Sequence, residues 1–517
     1  MKHVLLFFAA MLLTPAATSA LGGATGSLTW SLSEDSTVLT IRGEGAMPNY
    51  NYNESPWIAY REKILTAVIE PGVTSIGEWA FYECTALTSV SLPNSLKRIE
   101  GEAFFYCRKL ASVDIPEGVT AIGENAFTIC DALTAVFLPS SLTEIGQGAF
   151  ADCDSLTAVT IPRNVRNIGH MAFALCASLS RISVEEGNTA YSANSGVLFS
   201  HDKRVLLQYP QGKTDTHYDI PPSTVRIGNR AFYYAGFSSV AIPGSVTAIE
   251  GVAFESCSRL KSVSIPRSVT EIGSLAFSVC SQLTAITVET GNTSFSSVDG
   301  VLFRLDGSVL IQYPIGKTDT HYAIPPGTVR IEERAFGYSD YLETVFIPEG
   351  VAVIGSFAFS SCSNLKSAAI PRSVTAIESW AFDGCNRLRD VTVRWTTPLA
   401  IGDYVFSLTP LDTLRVPSGT KALYKAANGW KDFKYITEEA ATGLLPAPSP
   451  ASLSCTQGIL TVHTPGSEQI SVYTPGGVLL YSARKEAGEA VFRIGHLPRG
   501  ILIVQGSSGW SGKTVHR

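Results

Sequence analysis

The sequence predicts a repeat solenoid of mainly β structure with short helical or irregular turns, followed by a separate all-β sandwich at the C-terminus. The solenoid is predicted by Ala-Phe pairs that recur about every 23 residues and by an Ile that stands five residues before each Phe. The sandwich is predicted by a change of composition after residue 452, where short apolar strands alternate with turns. The repeated residues of the twelve copies, the last preceded by Val instead of Ala, are Phe81, Phe104, Phe127, Phe150, Phe173, Phe232, Phe254, Phe277, Phe336, Phe359, Phe382 and Phe406.

One copy of the unit, from Cys107 to Phe127, shows why the period produces stacking. Its residues Val113 and Ile115 are two apart and therefore share one face of a short strand, while the residues beside them face outward. The Pro that follows ends the strand because it has no N–H for a continuing ladder. The remaining apolar positions turn the chain back and fill the interior. A single unit cannot bury this apolar set, so the units are expected to stack as coils.

The repeat has a known counterpart. Its pattern, CxxLxxVxIPxxVxxIGxxAF, resembles that of the BspA-like (Treponema-type) leucine-rich repeat family, and the match runs from about Ile64 to Pro417. The resemblance implies a leucine-rich repeat solenoid over residues 64–417, displayed on a cell surface and used for adhesion or other macromolecular binding. It implies no catalytic residues and no cofactor, so the chain is not expected to be an enzyme.

The N-terminal segments are predicted to be a signal peptide and a cap. Residues 1–20 have a Lys near the start, an apolar run and small residues before a cleavage site between Ala20 and Leu21. The apolar run is too short to span a bilayer, and no later segment has the required length. The mature protein is therefore expected to be secreted without a membrane span. Residues 21–63 read as a hairpin followed by a short helix, which would cover the open edge of the first coil.

The C-terminal segments are predicted to be a cap, a linker and a sorting domain. Residues 418–436 read as a short capping helix and its surroundings, and residues 437–452 as a linker rich in Pro, Ala and acidic residues. Residues 453–517 resemble a type IX secretion C-terminal sorting domain. The positions that match the recurring residues of that family are Gly477, Leu497, Gly500 and Lys513. The resemblance implies that this domain engages the secretion machinery and that the protein is attached to the exterior of the outer membrane.

A polar stretch occurs twice. Residues 196–222 and 300–326 are identical at 20 of 27 positions, and both contain KTDTHY. Each lies in a predicted hairpin insert, near 185–222 and 289–326, that leaves the solenoid and rejoins it at IPP. The candidate ligand contacts within the two copies are Asp215, His217, Asp319 and His321.

Three interpretations of the repeated Asp and His remain open. They could bind a metal, contact a ligand or lie in a solvated loop. Metal binding is disfavoured because the neighbours that could add ligands, His201 and Asp219, become Leu305 and Ala323 in the second copy. No metal site is therefore predicted. The complete identity of KTDTHY is not explained by the needs of a hairpin.

Nine of the ten cysteines stand at one position of the repeat, beginning with Cys84 and Cys107. Equivalent atoms of adjacent coils lie roughly 5 Å apart, which permits either disulfides or a column of packed thiols. The first run contains five cysteines, an odd number that cannot pair completely within itself. The sequence therefore favours a column of free, buried thiols. A 23-residue period along a straight column does not supply the convergent ligands of a zinc site.

The outward positions of the strands are the candidate contact surface. Most carry small residues, but Phe137 and Phe346 place aromatic side chains there. Such a row could reflect β propensity alone, or it could be a flat surface on which aromatic side chains anchor an extracellular protein or glycan. The formal charge of −6 leaves no basic surplus for nucleic acid. The alternative function is a passive structural component of the cell envelope or a biofilm.

Overall fold

The computed structural model describes residues 21–439 and, beyond them, seven strands between residues 452 and 516. The described chain is almost entirely β-strand and turn, and it divides into two compact units, one ending at Gly196 and one beginning at Val197. In the part that is described, no helix has the length and apolar composition needed to cross a membrane.

The first unit contains sixteen short strands and one turn of 3-10 helix at Ile58–Tyr60. The strands are β1 Gly22–Thr25, β2 Leu28–Leu32, β3 Val38–Gly43, β4 Gly45–Ala46, β5 Thr66–Ile69, β6 Val73–Ile76, β7 Ser89–Ser91, β8 Arg98–Ile99, β9 Ser112–Asp114, β10 Ala121–Ile122, β11 Ala135–Phe137, β12 Glu144–Ile145, β13 Ala158–Ile161, β14 Asn167–Ile168, β15 Arg181–Val184 and β16 Tyr191–Asn194.

The second unit continues the same kind of coil and carries the single α-helix of the described chain, α1 Lys421–Ala426. Its strands up to residue 438 are β17 Val197–Ser200, β18 Val205–Gln208, β19 His217–Asp219, β20 Arg226–Ile227, β21 Ser239–Ala241, β22 Ala248–Ile249, β23 Ser262–Ile265, β24 Glu271–Ile272, β25 Ala285–Val288, β26 Phe295–Val298, β27 Val301–Arg304, β28 Val309–Gln312, β29 His321–Ala323, β30 Arg330–Ile331, β31 Thr344–Phe346, β32 Val353–Ile354, β33 Ser367–Ile370, β34 Ala376–Ile377, β35 Asp390–Val393, β36 Thr413–Val416 and β37 Tyr435–Glu438.

Each regular coil contributes one strand to each of two parallel ladders. In the first unit β9 pairs with β11, with Val113 opposite Val136, and β10 pairs with β8 and β12. Val113 and Ile115 are buried while Ser112 and Asp114 are exposed, so the strand presents the predicted faces. The predicted solenoid of β-rich coils is therefore confirmed.

A column of phenylalanine rings explains the fixed period. Phe104 stacks on Phe81 at 4.9 Å and on Phe127 at 5.1 Å between ring centroids, and the paired planes are nearly parallel. The backbone N–H of Phe104 donates to the carbonyl of Ala126 in the next coil at 2.8 Å. Each ring is fully buried and contacts its equivalents in neighbouring coils. An insertion or deletion within a coil would disturb this stacking and the backbone hydrogen bonds together.

The N-terminal cap is more extensively β than the sequence indicates. Strands β1, β2 and β3 form an antiparallel sheet, and β3 pairs in parallel with β5, which starts the first ladder. The predicted short helix is a single 3-10 turn. Beside it, Trp57 is completely buried and donates from Nε1 to the Ala80 carbonyl at 2.7 Å. The cap therefore covers the apolar interior of the first coil with a side chain as well as with strands.

The C-terminal cap combines α1 with a final strand. The helix lies within the predicted cap of residues 418–436 and is preceded by Thr420. Trp430 is buried beside Phe406 at 5.7 Å between ring centroids, so it covers the last ring of the column in the second unit. Strand β37 pairs in parallel with β36 and ends the six-stranded sheet.

The second predicted insert differs from the expectation. Strands β27 and β28 pair antiparallel, but β28 also pairs in parallel with β30, so the hairpin joins the ladder. Tyr313 takes the place of the repeated Phe and stacks on Phe336 at 5.1 Å. Strand β29, which includes the last two residues of KTDTHY, pairs in parallel with β31. The insert is therefore a divergent coil with an added hairpin, and the chain rejoins the stack before IPP rather than at it.

The last seven strands form two antiparallel sheets. One has the order β38-β39-β42 and the other the order β41-β40-β43-β44. Apolar side chains of three of these strands are buried, namely those of Leu460, Ile470, Val472 and Val504 where they are described. The strands are β38 Ser452–Thr456, β39 Ile459–Thr464, β40 Glu468–Tyr473, β41 Leu479–Lys485, β42 Gly488–Arg493, β43 Gly500–Gly506 and β44 Ser511–His516.

Candidate binding surfaces

Phe137 is the most exposed aromatic side chain on a strand of the first unit, with 69% of its surface accessible. It ends β11, where its partner in the parallel register is Asp114 of β9. The preceding residue, Val136, is buried and holds the strand in place. An aromatic ring fixed on a flat strand face, with a carboxylate beside it, can anchor a ligand that contributes apolar surface and a hydrogen-bond donor.

Phe346 lies in a different setting in the second unit. It ends β31, and its register partners on both sides are alanines, Ala323 of β29 and Ala369 of β33. The ring is half-buried, and the small neighbours leave it as the largest side chain on this part of the sheet. The two predicted aromatic positions belong to different units, and each is a candidate contact by itself.

The structure brings Phe346 together with one repeated histidine. His321 begins β29 opposite Thr344 of β31, and Phe346 stands two residues after that threonine. Residues two apart on a strand share a face, so His321 and Phe346 occupy the same face of adjacent strands. The His321 Nδ1 atom is hydrogen-bonded to the Thr344 hydroxyl, which holds the ring against the sheet.

The first repeated histidine has the same position and more partners. His217 lies opposite Ser239, whose hydroxyl is 2.7 Å from Nδ1. Its Nε2 atom is 3.0 Å from a carboxylate oxygen of Asp219. Because Ala323 replaces this aspartate in the second copy, the two histidines share the backbone position and one hydrogen bond but differ in charge environment.

The repeated aspartates point to other partners. Asp215 accepts a hydrogen bond from the Tyr209 hydroxyl at 3.0 Å, and Lys213 Nζ lies 3.2 Å from the same carboxylate oxygen. In the second copy, Asp319 accepts from Tyr313 at 3.3 Å. Burial, aided by the nearby aspartate, raises the pKa of both tyrosine hydroxyls well above the ordinary value, so they remain donors. This network joins the aspartate to the core of the divergent coil.

KTDTHY is therefore divided between two structural tasks. Its Lys and Asp hold the tyrosine that replaces the repeated Phe, while its His joins the next strand through a hydroxyl. The Asp and His of one copy make separate contacts rather than converging on one point. Within the described ranges, no three His, Cys, Asp or Glu side chains are grouped so as to hold a metal ion.

The column of cysteines is free and buried, as predicted, at all nine repeat positions. Cys107 Sγ donates to the Phe81 carbonyl at 3.2 Å, and the same bond recurs along the column. Burial raises the pKa of the Cys84 thiol to about 12. These thiols are packing groups, and those that donate as Cys107 does also satisfy backbone carbonyls.

Sequence reasoning missed a second aromatic column, two residues before the repeated Phe. In the second unit, Phe357 stacks on Trp380 at 5.1 Å, and Trp380 stacks on Tyr404 at 5.4 Å. The Arg334 guanidinium lies over the Phe357 ring at 5.0 Å and begins the column. Reading this repeat position across successive copies would have found it, because the four residues are 23 or 24 positions apart.

One shallow depression lies in the N-terminal cap. It has a volume of about 610 Å³ and is lined by Asn53, Ile58, Ala59, Arg61, Glu62 and Lys63. It is wide open to solvent, so it does not provide the water-excluded surroundings that enclose small ligands in deep pockets. The strand faces and turn surfaces are better suited to macromolecules.

Several predicted positions lie wholly or partly outside the described residues. Ala20, Gly477 and Leu497 are outside them, while Leu21 is the first described residue and is exposed. Gly500 begins β43 and Lys513 lies within β44, where they belong to neighbouring antiparallel strands. Cleavage and sorting at these positions stay predictions.

Comparison with solved structures finds bacterial proteins that are similar to this chain. A leucine-rich repeat protein from Eubacterium ventriosum is 26% identical, with a TM-score of 0.52, over 70% of this chain and 93% of that one. A leucine rich cell surface protein from Faecalibacterium prausnitzii is 25% identical over 83% and 97% of the two chains, with a TM-score of 0.33. The pneumococcal vaccine antigen PcpA is 16% identical over 82% and 100%, with a TM-score of 0.32. None of the curated proteins matches this chain.

The family comparison agrees with the coil geometry. The family described as "BspA type Leucine rich repeat region (6 copies)" matches residues 59–194, 213–299 and 318–431, which is more than half of the chain. The matched ranges contain the buried Phe column and the paired parallel strands of both units. This protein belongs to the BspA-type leucine-rich repeat family.

Proposed function

We propose that the protein is a secreted adhesin that is attached to the cell surface and binds a macromolecule without catalysis. The candidate macromolecules are a host matrix protein, a glycan and the surface of another cell. The observation that carries this proposal is the 69% exposure of Phe137 on a rigid parallel strand. Exposed aromatics on otherwise small-residue surfaces are typical centres of binding energy. Members of the family are typically surface-associated, non-catalytic binding proteins, which supports the same function.

A second contact of the same kind is proposed in the other unit. His321 and Phe346 share one face of β29 and β31, and the alanines beside the ring leave it accessible from above. An imidazole and an aromatic ring can together contact a polar ligand group and an apolar one. Asp215, His217 and Asp319 are proposed as further candidate ligand contacts, each already hydrogen-bonded within the second unit.

Export is proposed to use both ends of the chain. Residues 1–20 would be removed after Ala20, and residues 453–517 would form a β-sandwich sorting domain that engages type IX secretion machinery. The grouping of its seven strands into two antiparallel sheets supports a sandwich. Deleting residues 453–517 should keep the protein inside the outer membrane, whereas normal surface display of the truncated chain would contradict the sorting proposal.

The binding proposal is tested with the purified full chain against a panel of matrix proteins and glycans. For a ligand that binds saturably, Phe137→Ala should weaken binding about tenfold or more, because an anchoring aromatic contributes roughly 2 kcal/mol or more. Tyr234→Ala is the matched control, since this tyrosine is exposed on a turn of the second unit rather than on a strand face. Saturable binding that Phe137→Ala leaves unchanged would exclude this surface. No saturable ligand in the panel would favour a passive structural role in the envelope or a biofilm.

A further inference from the structure

The first unit carries a connected group of five aromatic rings, here called the aromatic patch. One ring is exposed, three are half-buried and one, that of Tyr82, is buried. Tyr52 of the cap is 56% exposed and meets Trp79 edge-on at 5.7 Å between ring centroids. Trp79 lies 5.0 Å from Tyr82, which stacks on Phe105 of the next coil at 5.7 Å. Phe105 in turn lies 6.3 Å from Tyr106, which completes the patch. Four of the rings lie on the turns that contain the Ala-Phe pairs, and Tyr52 of the cap is the most exposed of the five.

Two residues of the patch lie in left-handed backbone. Trp79 and Tyr106 have φ angles of 59° and 66°, in the left-handed region that costs a residue with a side chain roughly 1–2 kcal/mol. Gly148 occupies the position of Trp79 three coils later, with a φ of 61°, so glycine fits the same backbone without this cost. Residues of other types adopt the same conformation at the position of Trp79 in other coils, among them Glu102, Asn125 and Val252, so this conformation belongs to the coil rather than to the patch.

Three carboxylates border the patch. Glu78 immediately precedes Trp79, Glu102 occupies the position of Trp79 in the next coil, and Glu124 occupies the position of Glu78 two coils later. They lie around Gly101, where an added Cβ would be 3.9 Å from Glu78 Cγ and 3.3 Å from the Glu124 carbonyl. In residues 21–439, none of the three carboxylates is within ion-pair distance of a cation.

The charge of these carboxylates is not neutralised locally. Burial, followed by repulsion from Glu124 and a smaller repulsion from Glu78, raises the pKa of the Glu102 carboxyl. Glu124 accepts a hydrogen bond from Gln147, which is neutral. A positively charged partner would relieve the repulsion as well as contact the rings, so the patch is complementary to a cation.

The protein itself shows how such a surface holds a guanidinium. Arg108 lies over the Tyr106 ring at 4.3 Å and also approaches the Asp131 carboxylate to 3.4 Å. A planar guanidinium can stack on a ring and donate to a carboxylate at the same time, which an ammonium group does less well. Around Trp79 and Glu102 the patch likewise offers an aromatic ring and a carboxylate, and no cation of the described residues is paired with them there.

We propose that the aromatic patch and its three glutamates bind an extended basic segment of another polypeptide through arginine side chains. The site is separate from the strand face of Phe137, since it lies on the turns of the coils. Binding at the aromatic patch does not depend on a ligand being found for the strand face of Phe137, so either proposal can fail without the other.

The test measures binding of a fluorescein-labelled peptide of alternating Gly, Ser and Arg residues to the full chain at low ionic strength. The same peptide with citrulline in place of arginine keeps the shape and removes the charge. We expect saturable binding of the arginine peptide, at least about tenfold weaker binding of the citrulline peptide, and loss of affinity as salt is added. Equal binding of the two peptides, or no binding of the arginine peptide, would overturn the proposal.

Variants locate the binding to the patch. Trp79→Ala and Glu102→Gln should each weaken the arginine peptide about three- to tenfold, the range for one stacked cation or one charged hydrogen bond. Tyr52→Ala is a patch variant that should fold normally, because its exposed ring can be removed with little effect on the core. It should also weaken binding of the arginine peptide. Tyr341→Ala and Glu271→Gln, an exposed ring and an exposed carboxylate of the second unit, are the controls and should bind as the parent does. Parent-like affinity in all three patch variants would show that the peptide binds elsewhere.

Discussion

The Lys317 Nζ atom lies 3.3 Å from the Asp319 Oδ2 atom, and the lysine side chain is only 11% exposed. The same ammonium lies 3.3 Å from Asp299, and the same carboxylate accepts a hydrogen bond from Tyr313. An almost buried cation must be paired to avoid a large cost in solvation. The divergent coil therefore depends on the Lys and the Asp of KTDTHY for its own stability, which explains why these two residues occur in both copies.

Replacing Asp319 by Asn should destabilise the second unit by about 1–2 kcal/mol, since a charged hydrogen bond is lost while Lys317 stays largely buried. The expected loss of stability is small because the aspartate side chain is 45% exposed. Thermal unfolding of the full chain measures the change, with Glu271→Gln as a surface control. An Asp319→Asn protein as stable as the parent would show that Asp299 alone satisfies the lysine.

Truncation of two phenylalanines of the first unit should change the stability by very different amounts. Phe127 is fully buried between Phe104 and Phe150, so Phe127→Ala should cost about 3–5 kcal/mol. Phe137 is 69% exposed, so Phe137→Ala should change stability by no more than about 0.5 kcal/mol. Chemical denaturation of the two variants provides the comparison. A large loss of stability in Phe137→Ala would mean that the ring stabilises the strand and is not free to bind a ligand.

Alkaline pH should destabilise the coils through their thiols. Burial raises the pKa of Cys84 and Cys385 to about 12, from an ordinary value of 9.0. A raised pKa means that the folded state favours the protonated thiol, so the stability is fully present below pH 9 and is lost as pH rises toward 12. The denaturation midpoint should therefore fall over this window.

The Cys84→Ala variant tests the origin of the alkaline loss. Its stability at pH 7 is lower than that of the parent because a packed sulfur is removed, but its fall above pH 9 should be shallower. The relevant measurement is the slope of stability against pH above pH 9, not the stability at one pH. An unchanged slope would assign the alkaline loss to other groups, such as the buried tyrosines.

One large side chain should be replaceable by glycine with a gain in stability. Leu408 is 82% exposed and has a φ of 51°, while Gly384 occupies the same position one coil earlier. Leu408→Gly should raise the stability of the second unit by about 0.5–1 kcal/mol, because it removes left-handed strain and little buried surface. Leu423→Gly is the contrast, since this exposed leucine lies within α1, where glycine costs about 1 kcal/mol. If both variants lose stability alike, left-handed strain at Leu408 is negligible.

The repeat could be predicted because every regular coil buries the same residue types at the same positions. The Phe column, the buried side of β9 and the free cysteines follow from a period that appears directly in the sequence. The divergent coils could not be recognised, because Tyr209 and Tyr313 replace the Ala-Phe signal and draw on a Lys and an Asp that no regular coil has.

The candidate surfaces required the register as well as the period. His321 and Phe346 are 25 positions apart in the chain, and only the pairing of β29 with β31 places them on one face. The aromatic patch depends on Tyr52, which comes from the cap and follows no repeat. Long-range pairing of this kind leaves no local pattern from which to predict it.

The parallel pairing of the coils also has a consequence for how the gene can change. The divergent coil pairs with its successor in the same way in both copies, with His217 opposite Ser239 and His321 opposite Thr344. Because a coil offers the same backbone donors and acceptors whatever its side chains, a whole block of coils can be copied or removed by recombination without leaving an unpaired strand. Homologous proteins should therefore differ in length by whole numbers of coils, and new surface chemistry can arise in one copy while the other preserves the scaffold.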